Sequence, residues 1–146
     1  MGSLMSERVA VVATIDPDAN VTGTIASDWV DMTMFDQTMT IVLTGELGAS
    51  AGVDVQMEQA TDSSGTGAKD ITGKTITELV KATNDDDQAV INVNAGDLDI
   101  AGDFTHIRAL GTTATATSDW GLVIIGSRAR RQPANDSDLA SVVEIV

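Results

Sequence analysis

The chain has no cysteine, no tyrosine, a single histidine and two prolines, and each shortage removes some chemistry. Without cysteine there is no disulfide framework, no thiolate nucleophile and no Cys-ligated zinc, while an unbridged protein tolerates either redox compartment. One histidine, His106, excludes a His–His metal pair. Within Phe104-Thr-His-Ile-Arg108 it reads as a strand residue hydrogen-bonded to a neighbour, with a general base as the alternative. Aromatics make up 3% of the chain, so the core must come from Val, Ile, Leu, Ala and Met, and Trp29, Trp120, Phe35 and Phe104 are its few bulky anchors.

Long apolar runs are also missing. None approaches the roughly 18 residues of a membrane span. The opening Met1-Gly-Ser-Leu-Met-Ser-Glu-Arg8 lacks a basic region followed by a long apolar one, so the expectation is a soluble protein without a signal peptide and without a membrane partner. Positive charge is scarce: eight Lys and Arg against 22 Asp and Glu give a formal charge of −14. Such a field repels phosphate backbones and anionic headgroups. Nucleic acid is therefore not an expected partner, whereas a basic protein surface or bound cations would suit; simple solubility is the plainer reading.

What is present, in 146 residues, reads as one all-β domain. Arg8–Ile15 is a β-branched run that Asp16-Pro17-Asp18 should end in a turn. A second strand follows over Val21–Ala26, then a bend at Ser27-Asp28. Val53, Val55 and Met57 alternate with Asp54, Gln56 and Glu58, the period of two of a half-buried strand. Thr38–Thr44 alternates as well, and its apolar set Met39, Ile41 and Leu43 is expected to face inward, with Thr38, Thr40, Val42 and Thr44 mainly outward. Thr61–Asp70 is a loop by composition. Lys74–Lys81 has helical apolar spacing but threonine content and strand neighbours, which favour strand. Strands over Gln88–Asn94 and Phe104–Leu110 follow, punctuated by Gly96, Gly102 and Gly111 at sandwich-like intervals. Gly111–Ser118 either extends a hairpin arm or simply connects. The expected fold is a single-domain β-sandwich or jelly-roll-like antiparallel barrel over residues 1–133, with an acidic then apolar C-terminal arm over 134–146.

The most continuous apolar run, Trp120–Ile125, leads into the only cluster of positive charge, Arg128, Arg130 and Arg131. Clustered guanidinium groups in an acidic chain mark a contact edge. Their counterpart is either the chain's own Asp136–Asp138 or an acidic neighbouring subunit. In the tail, Leu139, Val142, Val143 and Val146 share one helix face, and the run would also serve as a strand. It either folds back on its own domain or docks on a neighbour.

Enzyme-like signals are weak. Ala68–Thr75 ends in Gly73-Lys74-Thr75, a relaxed phosphate-loop pattern, but the leading glycine is Ala68 and the flanks read β, so a surface turn is favoured. Asp16, Asp18 and Asn20 open like a calcium loop, which Val21 and Ser27 then break. Asn84–Asp87 is a charged turn. Trp29 and Trp120 would stack sugars if exposed, although tryptophan more often anchors a core or interface. No catalytic residue, cofactor or metal ligand is assigned.

From about Val21 onward the order of segments resembles small acidic head proteins of tailed bacteriophages and prophages. The segments are Asp28-Trp-Val-Asp-Met32, Glu58–Asp62, Gly65–Asp70, Phe104–Arg108, Arg128-Ala-Arg130 with Pro133–Asp136, and Asp138–Ser141. Arg131-Gln132 departs from the aromatic and glycine expected before the proline. The resemblance implies a non-enzymatic capsid cement or decoration subunit: a homotrimer on the virion exterior that contacts the major capsid protein and is made in the host cytoplasm. The contact residues would be Arg128, Arg130, Arg131, Leu139, Val142, Val143, Val146 and Trp29. A neck or tail structural protein and a sugar-binding β-sandwich are the alternatives.

Overall fold

A computed structural model describes residues 2–146. After one helical turn, Met5–Arg8, the regular structure is almost all strand, apart from short 3-10 turns: β1 Val9–Asn20, β2 Gly23–Ala26, β3 Val30–Asp31, β4 Phe35–Thr44, β5 Gly52–Ala60, β6 Lys69–Thr75, β7 Leu79–Val80, β8 Gln88–Asn94, β9 His106–Ala114 and β10 Ser118–Ala129. They form two antiparallel sheets packed as a β-sandwich. One sheet has the order β1-β10-β4-β8. The other runs β2-β9-β5-β6, with β3 also on β9 and β7 also on β5. The fold expectation holds. Among the described residues, no helix is long and apolar enough to cross a membrane.

β10 lies between β1 and β4, which is where an uninterrupted apolar strand belongs, since its main chain is paired on both edges. Trp120 joins the two layers. It is 2% exposed, and its Nε1–H donates to Thr113 Oγ1 at 2.9 Å. Its six-membered ring lies directly against Gly111 on β9, where a side chain would collide with it. Around it, Val42, Leu47, Val53, Val55, Met57, Ile107, Leu122 and Ile124 fill the core. As expected, β5 buries Val53, Val55 and Met57.

Several local expectations give way. Asp16-Pro17 does not end β1; the register moves from Ile15 opposite Leu122 to Asp18 opposite Trp120, so one extra residue makes a bulge. β1 is an edge strand, where proline's missing N–H and a bulge are both tolerated. Residues 74–81 hold no helix. β6 ends at Thr75 and β7 is a two-residue strand, each paired with β5. The segment after Ala114 is a short crossing between sheets rather than a hairpin arm, because β9 and β10 belong to different layers.

The largest correction concerns β4. Thr38, Thr40, Val42 and Thr44 point inward and are buried, while Met39 and Leu43 are exposed and Ile41 half-buried. The strand faces the opposite way from its composition. Ladder pairing explains this: Thr40 stands opposite Ile91 of β8 and Ile124 of β10, both core residues, and register moves a whole strand face at once. Threonine has nearly the shape of valine, and its buried hydroxyl is acceptable once bonded. Thr44 Oγ1 donates to Asn84 O at 2.8 Å, and Thr40 Oγ1 reaches Met57 Sδ at 3.5 Å.

Candidate functional site: contact surfaces

The arginine cluster sits where β10 leaves the sandwich. Arg128 adopts a left-handed backbone, φ 52°, and the Gln132–Pro133 peptide is cis. Arg128 and Arg131 are exposed, and among the described residues neither makes a salt bridge. Arg130 pairs with Asp36 on β4 at 3.3 Å, both side chains being about half exposed, which makes the pair weak. The expected intramolecular counterpart, Asp136–Asp138, is not used: the Asp138 carboxylate accepts from Val11 N–H at 2.8 Å instead. Thr33, Met34, Arg130, Arg131, Pro133 and Asp136 line a cleft of about 530 Å³ beside this edge. It gathers guanidinium groups, a carboxylate and apolar surface, with no nucleophile held by a base.

The tail divides in two. Ala134 is fully buried against Ala10 and Phe35, and Leu139 N–H donates to Val11 O at 2.9 Å, so residues 134–139 are tied to the open edge of β1. Beyond them the chain leaves the body. The expected helix face is absent: after one turn closed by Val142 N–H on Leu139 O, residues 142–146 have no regular structure. Val142 is half-buried, Val143 is 95% exposed and Val146 is fully exposed. Leu139 and Val142 thus belong to the body, whereas Val143 and Val146 are free.

Trp29 is half-buried between β2 and β3. The Arg108 guanidinium lies over its ring at 4.6 Å and is itself held by Glu58 at 2.7 Å. A Cβ at Gly65 would come within 3.0 Å of the indole Nε1. Burial excludes Trp120 as a sugar platform, and at Trp29 a guanidinium occupies the ring face that a sugar would need.

The weak enzyme signals resolve into structure. Lys74 lies within β6 and pairs with Asp97 at 3.1 Å, so no strand-loop-helix cradle exists there. Asp16–Asn20 is the β1 bulge and the strand that follows it. In the Asn84–Asp87 turn, Asp85 accepts from Leu47 N–H and pairs with Lys81 at 2.7 Å; Lys81, more than the amide, holds its carboxyl below the usual range. His106 sits beside the Thr105 hydroxyl, Nδ1 to Oγ1 2.8 Å. Among the described residues, no group of three His, Asp or Glu is placed to hold a metal.

One surface was not foreseen in the sequence. Because β4 is inverted, the outer face of the four-stranded sheet carries apolar side chains in register. Val11, Ile125 and Met39 form one row; Val123, Ile41 and Val90 form the next. Leu43 is 47% exposed and Val90 51%. Asn92 and Thr14 complete these two central rows, which carry no charge, whereas at the Leu43 end the exposed Asp16, Pro17 and Asp18 of β1 line the clefts beside Leu43 and Gly121. The alternation of Ile91 and Val93 with Asn92 and Asn94 on β8 was the available signal, since it fixes the inward face that β4 must match.

No protein-family model and no curated protein sequence matches the chain. Similar solved structures are distant in sequence. A chain of broad bean stain virus is 8% identical at TM-score 0.50, over 89% of this chain and 91% of that one. A carbohydrate-binding module specific for non-crystalline cellulose is 10% identical at TM-score 0.47, over 74% and 67%. A chain of a cowpea mosaic virus empty particle is 10% identical at TM-score 0.42, over 92% and 88%. At these identities the likeness concerns the β-sandwich fold alone.

Proposed function

We propose that the chain is a non-enzymatic structural subunit of a tailed-bacteriophage head, a cement or decoration protein that binds the exterior of the major capsid protein shell as a homotrimer. The observation that carries this reading is the arginine edge. In a chain of net charge −14, Arg128 and Arg131 stand exposed without an acidic partner among the described residues, beside a cleft that holds no catalytic arrangement. Solvated guanidinium groups with no carboxylate partner of their own are suited to fork onto acidic groups of another protein. The order of segments that resembles phage head proteins supports the same reading. Each contact would be modest, and many copies on a symmetric shell would supply the strength. The overall charge disfavours nucleic acid and anionic membranes as partners.

Co-sedimentation with expanded capsid shells tests this. Wild-type protein should pellet with the shells, and the double variant Arg128→Glu/Arg130→Glu should not, while its melting temperature stays within a few degrees of wild type. Unchanged occupancy of the double variant would overturn the role given to this edge. A neck or tail role is separated by copy number, since a neck protein is present as a single ring and a cement protein covers the shell.

A further inference from the structure

Two apolar features are exposed at the same time in this acidic chain. One is planar: the outer face of β1-β10-β4-β8 centred on Ile41, with Val90 and Leu43 about half exposed. The other is linear: the arm Val142-Val143-Glu144-Ile145-Val146, whose Val143, Ile145 and Val146 are exposed. We infer that the sheet face is a self-association surface, covered by the C-terminal arm of a second copy of this chain. The inference is independent of any capsid, because both parts belong to the chain itself.

Charge argues for a second copy. Chains of net charge −14 repel one another wherever carboxylates meet, and the two central rows of this face, Val11-Ile125-Met39-Asn92 and Thr14-Val123-Ile41-Val90, offer none. The arm fits it chemically. In an extended strand Val143 and Ile145 fall on one side and Glu144 on the other, so the apolar pair can lie on the sheet while the carboxylate stays in water. Its β-branched residues favour an extended conformation.

Length agrees. The four strands span three gaps, about 14 Å at about 4.8 Å each. Residues 140–146, which follow the attachment of Leu139 to β1, reach about 23 Å when extended, enough to cross every strand of a neighbour's face. The face alone, about 14 Å by about 17 Å over the five residues between the ends of the apolar patch, falls short of the ~800 Å² per partner of a stable complex. If every copy gives an arm and receives one, its contribution roughly doubles to about 480 Å², and contact between the bodies must supply the remainder of a stable complex. In a closed ring each arm covers the next copy's face, which leaves no face and no arm unused.

The absence of cysteine gives a direct test on the full chain. Val143→Cys and Val90→Cys are made as separate single-cysteine proteins, both at exposed sites, then mixed under mild oxidation. The mixed disulfide should form well in excess of either homodimer. Sedimentation equilibrium should show self-association of wild type that weakens about tenfold or more in Val90→Lys and in a chain ending at Val142, with each variant's fold, read by circular dichroism, unchanged. Three results would overturn the inference: a wild type monomeric at all concentrations, association undiminished by removal of the arm, or a monomeric intrachain disulfide in the double Val90→Cys/Val143→Cys protein. The last would mean that the arm covers its own sheet.

Discussion

Replacing Trp120 by phenylalanine removes one hydrogen bond and part of one ring from the point where the two sheets meet. Trp120 is 2% exposed and its Nε1–H donates to Thr113 Oγ1 at 2.9 Å. Thr113 is equally buried, so its oxygen would lose its partner at a cost of about 1–3 kcal/mol. The smaller ring adds about 1–2 kcal/mol, a fraction of the ~3–5 kcal/mol for losing a whole aromatic side chain. A total of about 2–5 kcal/mol lowers the melting temperature by roughly 6–15 °C in a domain of this size. Thr113→Val should cost about 1–3 kcal/mol by stranding the indole N–H. In the double variant neither polar group remains, so it should be no less stable than Trp120→Phe alone, a coupling of about 1–3 kcal/mol. Urea denaturation followed by far-ultraviolet circular dichroism measures all four proteins without relying on tryptophan fluorescence. Strictly additive losses would refute the hydrogen bond as the link between the layers.

Gly111→Ala should destabilise by about 1–3 kcal/mol, because the added methyl group meets the Trp120 ring and forces it to move; an unchanged urea midpoint would contradict that packing. The Asp97 carboxyl accepts from Asn94 N–H at 2.8 Å and pairs with Lys74; chiefly the amide, then Lys74, hold it below its ordinary value of 3.8. A lowered folded-state pKa gives stability that is complete above the ordinary value and lost as pH falls through the folded one. Asp97→Asn should therefore melt at a temperature less sensitive to pH below about 4 than wild type does, and superimposable acid limbs would count against the pair. Magnesium-ATP should leave the melting temperature unchanged, since Lys74 is a strand residue engaged with Asp97; a shift abolished by Lys74→Ala would reopen the phosphate-loop reading.

The sequence made the layer architecture legible wherever burial and composition agree. Val53, Val55 and Met57 alternate with polar residues, and the structure buries those three. The apolar run Leu122–Ile125 became an interior strand for the same reason. It failed where composition and burial part company. The inward threonines of β4 look polar in a list of residues, yet Thr44 meets a backbone carbonyl in the core, and only register with Ile91 and Ile124 reveals which face is inside. Pro17 looked like a terminator because a bulge depends on the partner strand rather than on the proline itself. The proposed contact residues were legible as a cluster of charge at Arg128–Arg131. Their separation from Asp136–Asp138 was not, because Asp138 is drawn to the β1 backbone over a sequence distance that no local pattern spans.

Imaging of capsids decorated with this protein tests the central claim most directly. If the proposed role is right, β-sandwich density appears in many copies over the outer shell, with the arginine edge of β10 facing the major capsid protein. Absence of the chain from the shell surface, or its confinement to a single ring at the neck, would contradict it.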